Sequence, residues 1–310
     1  MKSKVSIILV NYNGFKDTVE CINSLRYIDY INYDIIVVDN DSEKDYDLLS
    51  AKYSDSNVTV LRSESNLGFS GGNNIGISYA RNQGADYILL LNNDTFVEKN
   101  FLTDMVSTAQ KLNNRCVITC KIMYAYDKER IWYAGGKFDF KTSRTSVDGI
   151  NEKDSGKYNE AHKVSFASGC CLLIPVNILD DLGLMDEEYF LYCEDTDYCL
   201  RILKAGYEIM YEPKSKIYHK VNASTKKIAG ILTYYLVRNK LFIVKKHIEK
   251  NYKISAYSYV FMETAKRILT REYEVAATLN GIKDFIKGIK GKKLKWQNYY
   301  IFLTAHHTME

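Results

Sequence analysis

The chain opens with an unbroken apolar run, Val5 to Val10, that stops abruptly at Asn11-Tyr12-Asn13-Gly14. A continuous apolar stretch of this length predicts a strand buried on both faces of a parallel sheet. "FKDTVECINSLRYI" follows with Val19, Ile22 and Leu25 at helical spacing. The alternation then repeats. "DIIVVDND" and "VTVLRS" predict two further strands, "GGNNIGISYARNQG" a helix ended by Gly84, and "DYILLLNND" a fourth strand. Strand and helix signals in turn over residues 1–95 predict an α/β fold with a mostly parallel, Rossmann-like sheet.

The strands finish on polar residues: Asn11-Tyr12-Asn13, Asp39-Asn40-Asp41-Ser42, Asn66, and Asn92-Asn93-Asp94. Each cluster alone reads equally well as a turn, since Asn and Asp are common turn formers. Ligands of parallel α/β sheets bind beyond the carboxyl ends of the strands, so polar ends on one rim favour a site. Residues 138–162 are polar without periodicity and predict a loop, a solvated β-excursion or a linker.

"VSFASGCCLLIPVNILDDLG" predicts a buried strand and a short helix. "DEEYFLYCEDTDYCLRILKAGYEIMYEP" predicts an acidic loop, a helix ended by Gly206, and another strand. Glu194, Asp195 and Asp197 fall at that helix start, where the helix dipole favours carboxylates and keeps them ionised. Asp197 and Arg201 stand four apart and pair on one helix face, which leaves Glu194 and Asp195 for a site. From Ile228 onward, helical periodicity with many Lys and Tyr predicts a helical extension, dividing the chain into a 1–225 domain and a 226–310 extension. In its tail, Ile282, Phe285, Ile286 and Ile289 recur at helical spacing, complemented by Lys283, Lys287, Lys290, Lys292, Lys293 and Lys295. This pattern suits peripheral contact with an anionic membrane surface, or equally a helix docked on the domain with its basic face in water.

Composition narrows the class. The 310 residues, 46% hydrophobic and 26% charged, suit a soluble globular chain with a sizeable core. A net charge of +4 is too small to argue for nucleic acid, and no apolar run approaches the ~18 residues of a membrane span. The seven cysteines are odd in number, irregularly spaced and without a CxxC pair, which predicts free thiols in a reducing, cytoplasmic setting. "MKSKVSIILVNYNG" has no small-residue cleavage site and reads as a first strand, not a signal peptide. "GFSGGNNIG" follows the third strand, so it does not match the G-x-G-x-x-G of a dinucleotide-binding dehydrogenase. "NYNGFKD" offers no glycine- and lysine-rich loop for a nucleotidylyltransferase.

"VSIILVNYNG", "IIVVDNDS", "NLGFSGGNNIGI", "YILLLNNDT", "ASGCCLLIP", "YFLYCEDTDYCLRILKAGY" and "IYHKVNAS" together resemble, in order and spacing, the inverting glycosyltransferases of family 2, closest to bacterial rhamnosyltransferase-like members. The resemblance covers roughly residues 5–245, with "YYLVRNKLF" and "LNGIKDFIKGIKG" matching more loosely. It implies a GT-A nucleotide-diphospho-sugar transferase fold with a C-terminal helical extension. It also implies sugar transfer from dTDP-rhamnose or a UDP-sugar to a hydroxyl of a glycan or lipid-linked saccharide in cell-surface polysaccharide synthesis. The enzyme would then be cytoplasmic, or peripheral on the inner face of the membrane, and homo-oligomerisation stays open.

The same resemblance implies roles for single residues. Asp94 matches the last position of the D-x-D element and would hold a divalent cation, Mn2+ or Mg2+, with His219 as a second ligand. An imidazole among oxygens favours Mn2+. Asn92 replaces the first Asp of the element, which weakens any direct ligation there and leaves Asn92 and Asn93 for the nucleotide. Asp39 matches the residue that bonds the pyrimidine base, with a turn cap as its alternative, and Asn11 and Tyr12 sit where base or ribose contacts fall. Asn66 and the backbone of Gly71 and Gly72, at a helix start, would face the diphosphate. Asp195 matches the catalytic base and Glu194 an acceptor-binding group. Trp132 fits a sugar-stacking edge and plain packing equally. The alternative function is a catalytically silent nucleotide-sugar-binding scaffold, which would be expected to lose Asp94, Asp195 or His219; all three are present.

Overall fold

The computed structural model describes residues 2–54, 57–221 and 229–293. Its first part follows the expected alternation: β1 (Val5–Asn11), α1 (Phe15–Leu25), β2 (Tyr33–Asp39), α2 (Asp45–Tyr53), β3 (Val58–Arg62), α3 (Gly68–Asn82) and β4 (Tyr87–Leu91). The short β5 (Thr95–Val97), α4 (Phe101–Lys111), the long β6 (Cys116–Tyr124) and β7 (Ile131–Tyr133) come next. A small hairpin, β8 (Gly136–Asp139) with β9 (Arg144–Val147), and then β10 (His162–Val164) make residues 138–162 a β-excursion. Lys121, fully buried in β6, reaches into this excursion to Asp154 at 3.0 Å and Asn159 at 2.6 Å, and so pins it to the sheet. The chain continues through β11 (Cys171–Pro175), α5 (Val176–Leu182), α6 (Glu194–Lys204) and β12 (Glu208–His219), and ends in α7 (Ala229–His247), α8 (Lys253–Leu269) and α9 (Val275–Ile286).

The central sheet runs β10-β12-β6-β11-β4-β1-β2-β3, with β5 added beside β12 and β7 beside β6. β4, β1, β2 and β3 are mutually parallel, as are β6 and β12, while β11 is antiparallel to both its neighbours. Strands β1, β4 and β11 are buried almost throughout, as their continuous apolar runs require. α3 lies unusually close to β1: a Cβ on Gly72 would stand 2.8 Å from Val10 and one on Gly76 2.6 Å from Ile8.

The pattern reading did not single out α2, whose apolar residues share no common face: Leu48 is exposed while Leu49 and Tyr53 are buried. The boundary expected between 225 and 226, and Lys295, lie outside the described residues. The tail helix is shorter than its periodicity predicts. α9 stops at Ile286, with Gly288 and Gly291 both at positive φ, so Ile289, Lys290, Lys292 and Lys293 lie beyond it. Ile282 and Phe285 pack half-buried against the α7–α8 cluster, and Ile286 is exposed. All seven cysteines are free thiols.

Candidate active site

Parallel pairing brings Asn11 at the end of β1 opposite Asp39 at the end of β2. The Asn11 amide donates to Asp39 Oδ2 at 2.8 Å, Ser42 Oγ at 3.2 Å and Asp45 Oδ2 at 3.1 Å, and its Oδ1 accepts the Thr18 hydroxyl at 2.8 Å. Asn93 joins this cluster through Thr18 Oγ1 at 2.8 Å. Tyr12, next in the chain, is exposed. Asp39, expected as the base-binding carboxylate with a turn cap as its alternative, makes the contacts of a cap. It is fully buried, with Oδ1 taking the Ser42 N–H at 3.0 Å and Oδ2 taking Asn11, so it caps the turn after β2.

Gly72, expected to face the diphosphate through its backbone, lies within α3. It is the fifth residue of α3, past the first-turn donors that lack intrahelical partners, and its missing side chain serves the close approach to Val10. The first N–H groups of α3 are already taken: Gly68 donates to Asn66 Oδ1 at 2.9 Å and Phe69 to the Phe190 carbonyl at 3.0 Å. Asn66 is therefore a cap of this helix, and Gly71 is buried against Leu67.

At the end of β4, tertiary pairing does what the sequence spacing alone does not. β12 runs antiparallel along β5 with His219 opposite Thr95, and the Lys220 N–H continues the ladder to the Asp94 carbonyl at 3.0 Å. His219 Nε2 thereby meets Asp94 Oδ1 at 3.1 Å, with Asn92 Nδ2 at 3.4 Å. His219 Nδ1 is buried without a partner, and the edge of Trp132 packs on the ring at 4.8 Å between centroids. Trp132 thus packs within this cluster. Lys220, which the sequence reading missed, ion-pairs with Asp17 and Glu20 of α1 and ties the end of β12 across the rim.

Among the described residues no group of three His, Cys, Asp or Glu side chains gathers as a metal cage. Asp94 and His219 still fit a two-ligand site. Ligands at about 2.1 Å and at right angles around a small divalent cation stand about 3 Å apart, matching their observed separation.

Glu194 and Asp195 open α6 after a segment in which Phe190, Tyr192 and Cys193 all take positive φ. Such conformations cost about 1–3 kcal/mol each for residues other than glycine and persist only where neighbours hold them. Asp195 Oδ2 faces the Gly169 N–H at 3.4 Å, and its Oδ1 takes the Thr196 N–H at 2.7 Å. One residue on, the Cys170 carbonyl accepts the Asn92 N–H at 2.9 Å. Gly169-Cys170 is thus a bridge between the Asn92–Asp94–His219 cluster and Asp195. Asp197 is structural, as its spacing predicts. It is fully buried and receives Arg201 at 2.9 Å, His247 and Lys246 at 2.7 Å each, and Tyr189 at 3.0 Å. Burial alone would raise its carboxyl, but the hydrogen bonds and charges of His247 and Lys246 hold it well below the usual range.

The expectation that the dipole keeps both site carboxylates ionised is corrected. Burial, and then the charge of Asp195, push Glu194 up to about 8, and its Oε2 has no partner. Burial also raises Asp195, opposed by the N–H groups of Gly169 and Thr196. Desolvation outweighs the dipole because a helix terminus contributes at most a couple of kcal/mol while burying a charge costs several.

A stability prediction follows from Glu194. A carboxyl with a raised folded-state pKa holds its proton more tightly folded than unfolded, so it destabilises increasingly as pH climbs from 4.5 to about 8. Glu194→Gln, neutral at every pH, is expected to match wild type in melting temperature at pH 4 and to exceed it at pH 8.5 by about 4 °C or more. Calorimetric scans at the two pH values check this, and equal differences at both would refute it.

Comparison with known proteins identifies the family and the fold. The family model described as Glycosyl transferase family 2 matches residues 6–183. The dTDP-rhamnosyl transferase RfbF of Shigella flexneri is 26% identical over 309 residues, covering 93% of this chain and 98% of its own length. The rhamnosyltransferase WbbL of Escherichia coli (strain K12) is 26% identical over 273 residues, covering 83% of this chain and 99% of its own. Among solved structures, the mannosyltransferase PcManGT from Pyrobaculum calidifontis, in complex with GDP-Man and Mn2+, superposes with a TM-score of 0.57 at 12% identity, over 91% of this chain and 74% of that one. This last likeness is one of fold, the GT-A architecture of a mostly parallel sheet, here followed by C-terminal helices.

Proposed function

The chain belongs to glycosyl transferase family 2, and from that premise we propose that it moves a sugar from a nucleoside-diphosphate donor to an acceptor hydroxyl in one inverting displacement. The observation that supports this most is the Gly169-Cys170 bridge, which sets the Glu194–Asp195 pair beside the Asp94–His219 cluster at the carboxyl rim of the sheet. Transfer needs a stabilised diphosphate on one side of the sugar and a proton acceptor on the other, and these two groups are suited to those tasks. Asp94 and His219 would hold a divalent cation, which when bound supplies Lewis-acid stabilisation to the leaving diphosphate. Asp195 takes the proton of the acceptor hydroxyl as the new bond forms, and Glu194 orients that hydroxyl. Asn11, Tyr12, Asp39, Asn66, Asn92 and Asn93, at the ends of the strands, are assigned to the nucleotide side.

RfbF and WbbL, both named as rhamnosyltransferases, make dTDP-rhamnose the first donor to try and UDP-sugars the second. The test is a donor screen with purified protein that follows nucleoside-diphosphate release with and without a saccharide acceptor. Acceptor-dependent release with one donor supports the reading; tight donor binding with no release under any condition supports a silent scaffold instead.

A lipid-linked acceptor is the finer part of the proposal. No helix among the described residues is long and apolar enough to cross a membrane. The exposed side chains Ile254, Phe261, Met262 and Leu269 nonetheless share one stripe of α8, with Lys266 at its border, and Leu279 and Ile286 are exposed on α9 near Lys283 and Lys287. Lysines near an anionic leaflet contribute about 1 kcal/mol each. Flotation with anionic liposomes at low salt is expected to carry the protein upward, and Leu269→Glu with Ile286→Glu to abolish it. No flotation at low salt would leave only helices docked on the domain.

A further inference from the structure

Arg238 and Asn239 of α7 are both fully buried, and neither is explained by the apolar packing of that helix. The Arg238 guanidinium is enclosed by the rings of Tyr234 and Tyr235 and donates to the carbonyls of Tyr189 at 3.0 Å and Gly291 at 2.7 Å. Its Nε donates to Asn239 Oδ1 at 2.9 Å, which fixes the orientation of the neighbouring amide. The Asn239 Nδ2 group is thereby turned onto the segment before α6, where it meets the carbonyls of Tyr189 at 3.0 Å, Leu191 at 2.9 Å and Tyr192 at 2.8 Å. This is the segment whose left-handed residues Phe190, Tyr192 and Cys193 deliver the chain to Glu194.

The opposite side of the same segment is held by α3. Asn74 exchanges hydrogen bonds with the backbone of Met185 and reaches Glu187 at 2.8 Å, while Phe190 accepts from Phe69. Gly68 has no room for a side chain there, since a Cβ would fall 2.0 Å from the Phe190 carbonyl. A strained turn clamped between two helices delivers a side chain to one place only while both clamps hold.

We propose that Asn239, oriented by Arg238, is a positioning residue for the Glu194–Asp195 pair, acting through the carbonyls of residues 189, 191 and 192. The role given to that pair rests on the transferase reading; the clamping of the turn does not. It makes α7 part of the catalytic apparatus and not an appendage to it.

Asn239→Asp and Asn239→Ala separate this role from plain packing. Asp keeps the shape and the Arg238 contact but sets oxygen against carbonyl oxygens, whereas Ala removes the group. Loss of amide donation predicts that Asp is at least as damaging as Ala; packing alone predicts that Asp stays close to wild type. Turnover per donor-binding molecule is expected to fall on the order of tenfold in both variants, as a displaced catalytic group does, with donor KM changed less than twofold. Backbone hydrogen exchange across 189–196 is expected to quicken at least tenfold in both variants, with protection of β1 and β4 unchanged.

Wild-type exchange at 189–196 in Asn239→Asp, or wild-type turnover in that variant, overturns the proposal. Should Asn239→Asp fail to fold, the same two readouts on Asn239→Ala decide it. The exchange measurement stands apart from the donor screen. An inactive wild type with the expected exchange change would sink the transferase reading while leaving the clamp in place.

Discussion

Asp195→Asn is expected to lower turnover by at least about two orders of magnitude while leaving donor binding intact. A carboxylate cannot fully deprotonate a sugar hydroxyl in advance; it accepts the proton late, as the bond to the anomeric carbon forms. A positioned base of this kind contributes ~10²–10⁴-fold, and an amide of the same shape contributes none of it. The hydrogen bonds from Gly169 and Thr196 hold the Asp195 carboxylate in place, and burial raises its basicity above that of a solvated aspartate. Glu194 is suited to a different task. Pushed up to about 8, it is largely protonated at neutral pH and can donate to an acceptor oxygen as well as accept from a hydroxyl. Glu194→Gln preserves that neutral, donating form, so its effect is expected on acceptor KM more than on turnover. Steady-state kinetics of the two variants with the donor found in the screen provide the check. Near-normal turnover in Asp195→Asn with a dead Glu194→Gln would exchange the two roles, and a product of retained anomeric configuration would overturn the single displacement.

Chelation, or Asp94→Ala, is expected to abolish transfer. Lewis-acid stabilisation of a leaving diphosphate is worth several kcal/mol, and at 1.36 kcal/mol per tenfold its loss costs about three orders of magnitude or more. The variant should stay folded, because the backbone bond from the Lys220 N–H to the carbonyl of residue 94 survives the substitution even though the side-chain contact with His219 is lost. His219→Ala is expected to weaken cation affinity, since it removes one of the two ligands. Turnover after exhaustive EDTA treatment, then with Mn2+ or Mg2+ restored, is the measurement. Melting curves with each ion separate binding from activity: the wild type should be stabilised and Asp94→Ala should not. Undiminished transfer in excess EDTA would remove the cation from the mechanism.

The features legible in the sequence are those set by local order. The continuous apolar runs at Val5–Val10 and Ile88–Leu91 became strands buried on both faces, because a strand in a parallel sheet has no solvated side to carry polar residues. The Asp197–Arg201 pair was legible because residues four apart on a helix must be neighbours. The polar clusters at the strand ends mark the rim, since chains that run parallel end on one edge. Their individual tasks were not legible. Asp39 and Asn66 accept from backbone N–H groups of the Ser42 turn and the start of α3, contacts set by which N–H groups face them in the fold.

Where the physics is a sum over distant elements, only the tertiary structure decides. His219 reaches Asp94 because β12 pairs with β5, a register no local pattern encodes. Nothing in the local pattern singles out Arg238 and Asn239, whose bonds to the carbonyls of residues 189, 191 and 192 exist only once that turn is folded against α7. The protonation of Glu194 follows the same rule. Its place at a helix start favours the charged form, a local effect confined to one turn, whereas desolvation accumulates from everything packed around it and prevails. Periodicity and spacing therefore determined strands β1–β4, β11 and β12, several of the helices and the edge of the sheet that carries the site, while burial and long-range pairing decided what the polar side chains on that edge do.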